Sequence, residues 1–134
     1  MTRLTDLYRK AEELDIQVIQ FPMTSLQALS TPDNVIGIDP NQLEDREELV
    51  CLAHEMGHCA TGSFYTSDTP LLSRTRLEQR ADRWAIRQLV PLEELKSLLR
   101  GGAYRWDEAA EHFQVTEEFM RKAVAFYRDA RDQL

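Results

Sequence analysis

Residues 54–58 read His-Glu-Met-Gly-His, inside the stretch "LVCLAHEMGHCATG", and hold two of the chain's three histidines. On a helix, residues four apart lie on nearly the same side, about 6 Å apart along the axis. His54 and His58 can therefore aim two imidazoles at one point. Glu55 is turned about 100° from His54. It can miss a metal held by the two rings and still reach a water bound to that metal. This is the logic of the H-E-x-x-H pattern, with two nitrogen ligands and a carboxylate that takes a proton from water. The plain alternative is two solvated surface histidines, since a five-residue match also arises by chance. Gly57, between the ligands, costs a helix about 1 kcal/mol against alanine. That cost is easier to tolerate where something approaches the helix backbone closely.

A catalytic zinc usually takes three protein ligands, and Glu78 in "LEQRADRWA" is the candidate for the third. At helical spacing Glu78, Ala81, Asp82, Ala85 and Leu89 fall on one face, so two carboxylates continue a small, apolar stripe. Buried carboxylates are costly unless paired or bound to metal. If this alanine face meets the histidine helix, Glu78 reaches the metal. Asp82, one turn on, can then accept a hydrogen bond from the outer nitrogen of a ligand histidine. A competing reading makes Thr75-Arg-Leu-Glu78 a capping box at a helix start. It explains Glu78 but not the place of Asp82.

The elements that must position these residues follow from periodicity. Residues 4–14 read as a helix, followed by short strands in "IQVIQF", "LQALS" and "VIGID". "TPDN" is a turn between the last two. Three strands predict a small antiparallel sheet that needs a helix on one face. From Asp45 to about Ala60 the pattern is helical, with Leu49, Leu52, Ala53, Met56 and Ala60 on one stripe and Gly62 as the stop. "SFYTSDTPLLS" reads as a loop. "TRLEQRADRWAIRQLVP" and "LEELKSLLRGG" give two helices. A C-terminal helical pair over 106–134 is broken near Val115, with Thr116 as a cap. The expectation is a single α+β domain over residues 1–134, within the 134-residue length one core can serve.

Composition narrows the setting. Hydrophobic residues at 43% and charged residues at 29% fit a folded globular chain. The N-terminus is charged, with no apolar segment of a secretory signal, and no apolar run is long enough to span a bilayer. Cys51 and Cys59, eight residues apart on one helix, lie about 12 Å apart and cannot form an internal disulfide. A reducing cytosol is the expected compartment, with no membrane partner. No motif fixes an oligomeric state. A net charge of −7 disfavours DNA as a partner unless a local basic patch exists.

"HEMGH", then 19 residues, then E-x-x-x-D resembles the gluzincin arrangement of zinc metallopeptidases. More closely, "AHEMGH … LEQRADRWAIRQLVP" is similar to the ImmA/IrrE family over roughly residues 1–115. One departure is Trp84, where members often carry Phe. The resemblance implies a zincin-like core and a cytosolic, zinc-dependent endopeptidase. Its implied substrate is a helix-turn-helix repressor of the Xre type, of the sort phages and mobile elements use. It implies His54, His58 and Glu78 as zinc ligands, Glu55 as catalytic acid/base, and Asp82 as the partner of a ligand histidine. Tyr65 and His112 are candidate donors to the oxyanion. A peptide held extended against a sheet edge is also implied, with "VIGID" as the candidate edge.

Two rivals have sequence support. "DEAAEHFQVTEEFMRKAVAFY" has the rhythm of a helix-turn-helix, which suggests a DNA-binding module. Its second helix, however, opens Thr-Glu-Glu, and residues 107–134 hold seven acids and four bases, the reverse of what phosphates attract. Docking of the repressor or packing on the domain suits that pair better. Alternatively, Cys51 lies about 60° around the helix from His54, where as a further ligand it would close an inert, structural zinc site.

Overall fold

The computed structural model describes residues 2–102 and 105–130. Helix α1 (Arg3–Glu13) leads into strands β1 (Gln17–Gln20), β2 (Ala28–Thr31) and β3 (Val35–Ile38). Five helices follow: α2 (Asp45–Thr61), α3 (Leu71–Leu89), α4 (Leu92–Arg100), α5 (Trp106–Phe113) and α6 (Glu117–Asp129). The architecture is α+β, with three strands and a C-terminal helical pair, as the sequence patterns predict. The last residues of the pair as read from sequence, 131–134, lie outside the described residues.

The sheet is mixed, which corrects the antiparallel expectation. Its order is β1-β3-β2. The β2–β3 hairpin is antiparallel, with Ala28 opposite Ile38 and Thr31 opposite Val35. Asn34 takes a left-handed conformation in its turn. β1 pairs with β3 in parallel, Gln17 opposite Val35 and Gln20 opposite Ile38. The cause lies in residues 21–27, which cross over β3 instead of turning back beside β1. A Cβ on Gly37 would stand 2.6 Å from the Phe21 ring, so glycine there leaves room for the side chains of the crossing segment. The buried Asp39 carboxylate then holds that segment, accepting from the Met23 amide at 3.0 Å and from Gln42 Nε2 at 2.9 Å. These bonds keep its pKa below the usual carboxylate value, that from Gln42 most of all. β3 is consequently the central strand. "VIGID" is not an edge; β1 and β2 are.

α2 runs through the core. Leu49, Leu52, Ala53 and Met56 are buried against Ile36, Ile38, Ala85 and Ile86. Burial of each large apolar side chain stabilises the fold by about 1.5–3 kcal/mol. Ala60, expected on that stripe, is exposed because it lies in the last turn of α2. Gly62 ends the helix at φ 67°.

α3 starts at Leu71, directly after Pro70, four residues before the expected start. Thr75 is therefore inside the helix, its hydroxyl donating to the Leu71 carbonyl at 3.0 Å. This removes the capping-box reading of Glu78. Ala81 and Ala85 are fully buried, and α2 and α3 meet there. A Cβ on Gly57 would stand 2.4 Å from the Ala81 carbonyl oxygen. The glycine between the two histidines is thus the point where the helices touch backbone to backbone.

Thr116 caps α6, accepting from the Phe119 amide at 3.1 Å. Phe119, Met120, Ala123 and Tyr127 turn inward. Among the described residues no helix is long and apolar enough to cross a membrane.

Candidate metal centre

The close approach of α2 and α3 brings three side chains together. Ligating atoms of His54, His58 and Glu78 all lie within 4.8 Å of one another, a group that could hold a metal ion. His54 Nε2 is 2.7 Å from Glu78 Oε2, and His58 Nε2 is 3.3 Å from Glu78 Oε1. The two rings stand nearly perpendicular, with centroids 4.8 Å apart.

The partners on the far side of each ring decide which nitrogen faces the group. His54 Nδ1 is 2.8 Å from Asp82 Oδ1, a carboxylate that can only accept, so Nδ1 carries the hydrogen. His58 Nδ1 is 2.5 Å from the Ser63 carbonyl, which also can only accept. Nε2 of each ring therefore faces Glu78: while protonated it donates to that carboxylate, as His54 does at 2.7 Å, and once the proton leaves its lone pair is free for a cation. Two imidazole nitrogens and a carboxylate, with both tautomers fixed from behind, suit zinc in donor type and number.

The electrostatics carry the same information. Burial opposes the charged form of His54. The hydrogen bond and charge of Asp82, followed by the charges of Glu55 and Glu78, outweigh it and raise the ring's pKa. Burial likewise opposes the Glu78 carboxylate. The Tyr65 hydroxyl, donating at 2.8 Å, and the two histidines reverse that effect and lower its pKa. Asp82 is lowered against burial by His54 and then by Lys122. The cluster is thus built to hold positive charge among negative ligands.

Glu55 lies beside this group. Its Oε1 accepts from the Ser30 hydroxyl at 2.6 Å. A cleft of about 180 Å³ is bounded by Leu29 and Ser30 of β2, Glu55 and His58 of α2, Glu78 of α3, and Ser63, Phe64 and Tyr65 between the helices. Tyr65 therefore belongs to the site, although its hydroxyl is bonded to Glu78. His112 does not. Its Nε2 is 3.0 Å from Glu94, in a separate depression with Ser97, Gly101 and Glu108. It lies outside the cleft, so a role for it as oxyanion donor finds no support.

Cys51 is not in the ligand group. It lines a different depression with Phe119 and Lys122. Burial, then the charges of Glu55, Glu47 and Glu48, raises its thiol pKa, which disfavours a metal-binding thiolate. Cys59 is pushed up to about 11 by burial and Glu55. Both thiols are free, as their spacing requires. The closed, thiolate-bearing site therefore finds no support.

Three contributors escaped the sequence reading: Ser30, the Ser63 carbonyl and Lys122. A backbone carbonyl leaves no residue signature, and Ser30 and Lys122 come from elements distant in the chain.

Paired histidines on one helix and a carboxylate on the next, with a small sheet beside them, form a group that could hold a metal ion. The chain belongs to the Peptidase_M78 family, described as the IrrE N-terminal-like domain, which matches residues 11–124. That span includes every residue of the cluster and reaches well into α6. Neither a curated protein nor a solved structure matches the chain.

Proposed function

We propose that this protein is a zinc-dependent endopeptidase whose substrate is a helix-turn-helix repressor of the Xre type. The observation that carries the reading is the convergence of His54 Nε2, His58 Nε2 and Glu78 on one point, with Glu55 beside it in the same cleft. In this reading His54, His58 and Glu78 hold the ion. Zinc in that position supplies an acidified water and a polarised scissile carbonyl.

The chain's own residues do the rest. Glu55 accepts the proton of the attacking water and later delivers it to the departing amine. Ser30, donating to Oε1, keeps that carboxylate turned into the cleft. Asp82 and the Ser63 carbonyl hold the two rings in the tautomer that offers Nε2. Tyr65, turned from Glu78 towards the cleft, is the candidate donor to the oxyanion.

β2 pairs with β3 on one side only, and its other edge borders the cleft. A substrate segment adding to that edge in extended form would present its peptide bonds to Glu55. Substrate pairing therefore moves from "VIGID" to β2. The α5–α6 pair is assigned to packing or to docking the repressor, because its second helix turns Phe119 and Met120 inward and begins with Glu117 and Glu118.

The test is incubation with the neighbouring repressor, with and without chelator, for wild type and Glu55→Gln. Wild type should cut only with metal present, while Glu55→Gln should retain metal and not cut. Cleavage by Glu55→Gln at the wild-type rate would refute the role of Glu55.

A further inference from the structure

Asp82 has two oxygens and serves two partners. Oδ1 receives His54 Nδ1 at 2.8 Å, and Oδ2 receives Lys122 Nζ at 3.3 Å. Lys122 arrives from α6, forty residues further along the chain. The terminal torsion of a carboxylate is broad, so one hydrogen bond leaves its plane poorly fixed. A second bond on the other oxygen fixes the plane and holds Oδ1 towards the ring.

α6 is itself clamped to the end of α3. Tyr127 donates to the Val90 carbonyl at 2.8 Å in the interior. The Arg87 guanidinium lies over the Phe126 ring, 5.2 Å from its centroid. The three contacts, Lys122 with Asp82, Phe126 with Arg87 and Tyr127 with Val90, advance together along the chain, so side chains of α6 reach α3 from Asp82 to its C-terminal end.

The geometry points to Lys122 as a positioning residue of the metal centre, acting through Asp82 on His54. The C-terminal helical pair is thereby tied to the site by one side chain. This inference rests on the metal reading of the His54, His58 and Glu78 group.

Its sign separates it from simple charge effects. Lys122 is a cation near a site for a dication, so its removal by electrostatics alone would tighten metal binding. A positioning role requires the opposite.

The test titrates wild type, Lys122→Met, Asp82→Ala and the double variant with Co²⁺ against a chromophoric chelator, recording the cobalt ligand-field spectrum. Lys122→Met should bind Co²⁺ about three- to tenfold more weakly with an altered spectrum, a smaller loss than the 10–100-fold expected of Asp82→Ala. In the Asp82→Ala background the lysine change should weaken binding no further. Lys122 is half-exposed, so its loss should barely move the melting temperature. If Lys122→Met does not fold, Lys122→Leu takes its place in the series. Unchanged or tighter binding by the single variant, or a further loss in the double, would overturn the inference. A wild type that takes up neither Co²⁺ nor Zn²⁺ would overturn the metal reading and this inference with it.

Discussion

Gly57 of α2 and Ala81 of α3 touch so closely that a Cβ on the glycine would stand 2.4 Å from the alanine's carbonyl oxygen. That contact sets the spacing of α2 and α3. Glu78 precedes Ala81 by three residues, and His54 and His58 flank Gly57, so the same contact sets the spacing of the three candidate ligands. Gly57→Ala would gain about 1 kcal/mol of helix propensity but must push the helices apart. The expected outcome is a net loss of about 1–3 kcal/mol of stability together with weakened zinc binding. Thermal melts with and without zinc check this. A more stable variant with wild-type zinc affinity would show that the contact is not needed.

Ser30 ties the edge strand to the Glu55 carboxylate at 2.6 Å. A hydrogen bond to a charged group contributes about 1.5–3 kcal/mol, so Ser30→Ala should lower kcat by about tenfold or more. Zinc content should not change, because Ser30 touches none of the three ligands. Steady-state kinetics on a repressor-derived peptide, with metal analysis of the same sample, read both quantities.

Tyr65 has two possible tasks, holding Glu78 and meeting the oxyanion, and Tyr65→Phe separates them. If the oxyanion task dominates, kcat falls by about 10–100-fold. Zinc affinity then stays within about fivefold of wild type, as the exposed hydroxyl's bond to Glu78 contributes little. A large loss of zinc affinity with kcat preserved at saturating zinc would assign Tyr65 to Glu78 instead.

The metal-free protein should show a particular pH dependence. The folded-state pKa of His54 lies above its unfolded value, so its contribution is full below about pH 6.5 and is lost as pH rises through the raised value. Glu78 and Asp82 are shifted down, so theirs is full above about pH 4.5 and is lost as pH falls through their lowered values. The cluster therefore supports the metal-free fold best between about pH 4.5 and 6.5. Zinc must displace the His54 proton, so its affinity should fall as pH drops through that raised pKa. Melts of chelator-treated protein across pH 4–9, compared with His54→Ala, test the first point. A pH-titrated zinc competition tests the second.

Much of the site was readable because helix geometry is local. Four-residue spacing placed His54 and His58 together, and the alanine face of α3 carried Glu78 and Asp82 towards them. Thr116 announced its helix by its own capping chemistry. The sheet was not readable in the same way. Its order depends on residues 21–27 crossing Gly37 and on Asp39 reaching back to Met23, which are tertiary contacts with no periodic trace. The start of α3 was misplaced because "PLLS" looks like the end of a loop, whereas Pro70 sits where a helix begins. His112 matched a donor by residue type alone, and type does not place a side chain in space.

The most direct measurement is zinc-edge X-ray absorption on the loaded protein. One zinc per chain is expected, with nitrogen and oxygen neighbours at about 2.0–2.2 Å, two of them imidazoles, and no sulfur. Loss of one imidazole in His58→Ala and of the carboxylate in Glu78→Ala should follow. A sulfur shell at about 2.3 Å, or a wild-type spectrum unchanged by Glu78→Ala, would contradict that expectation.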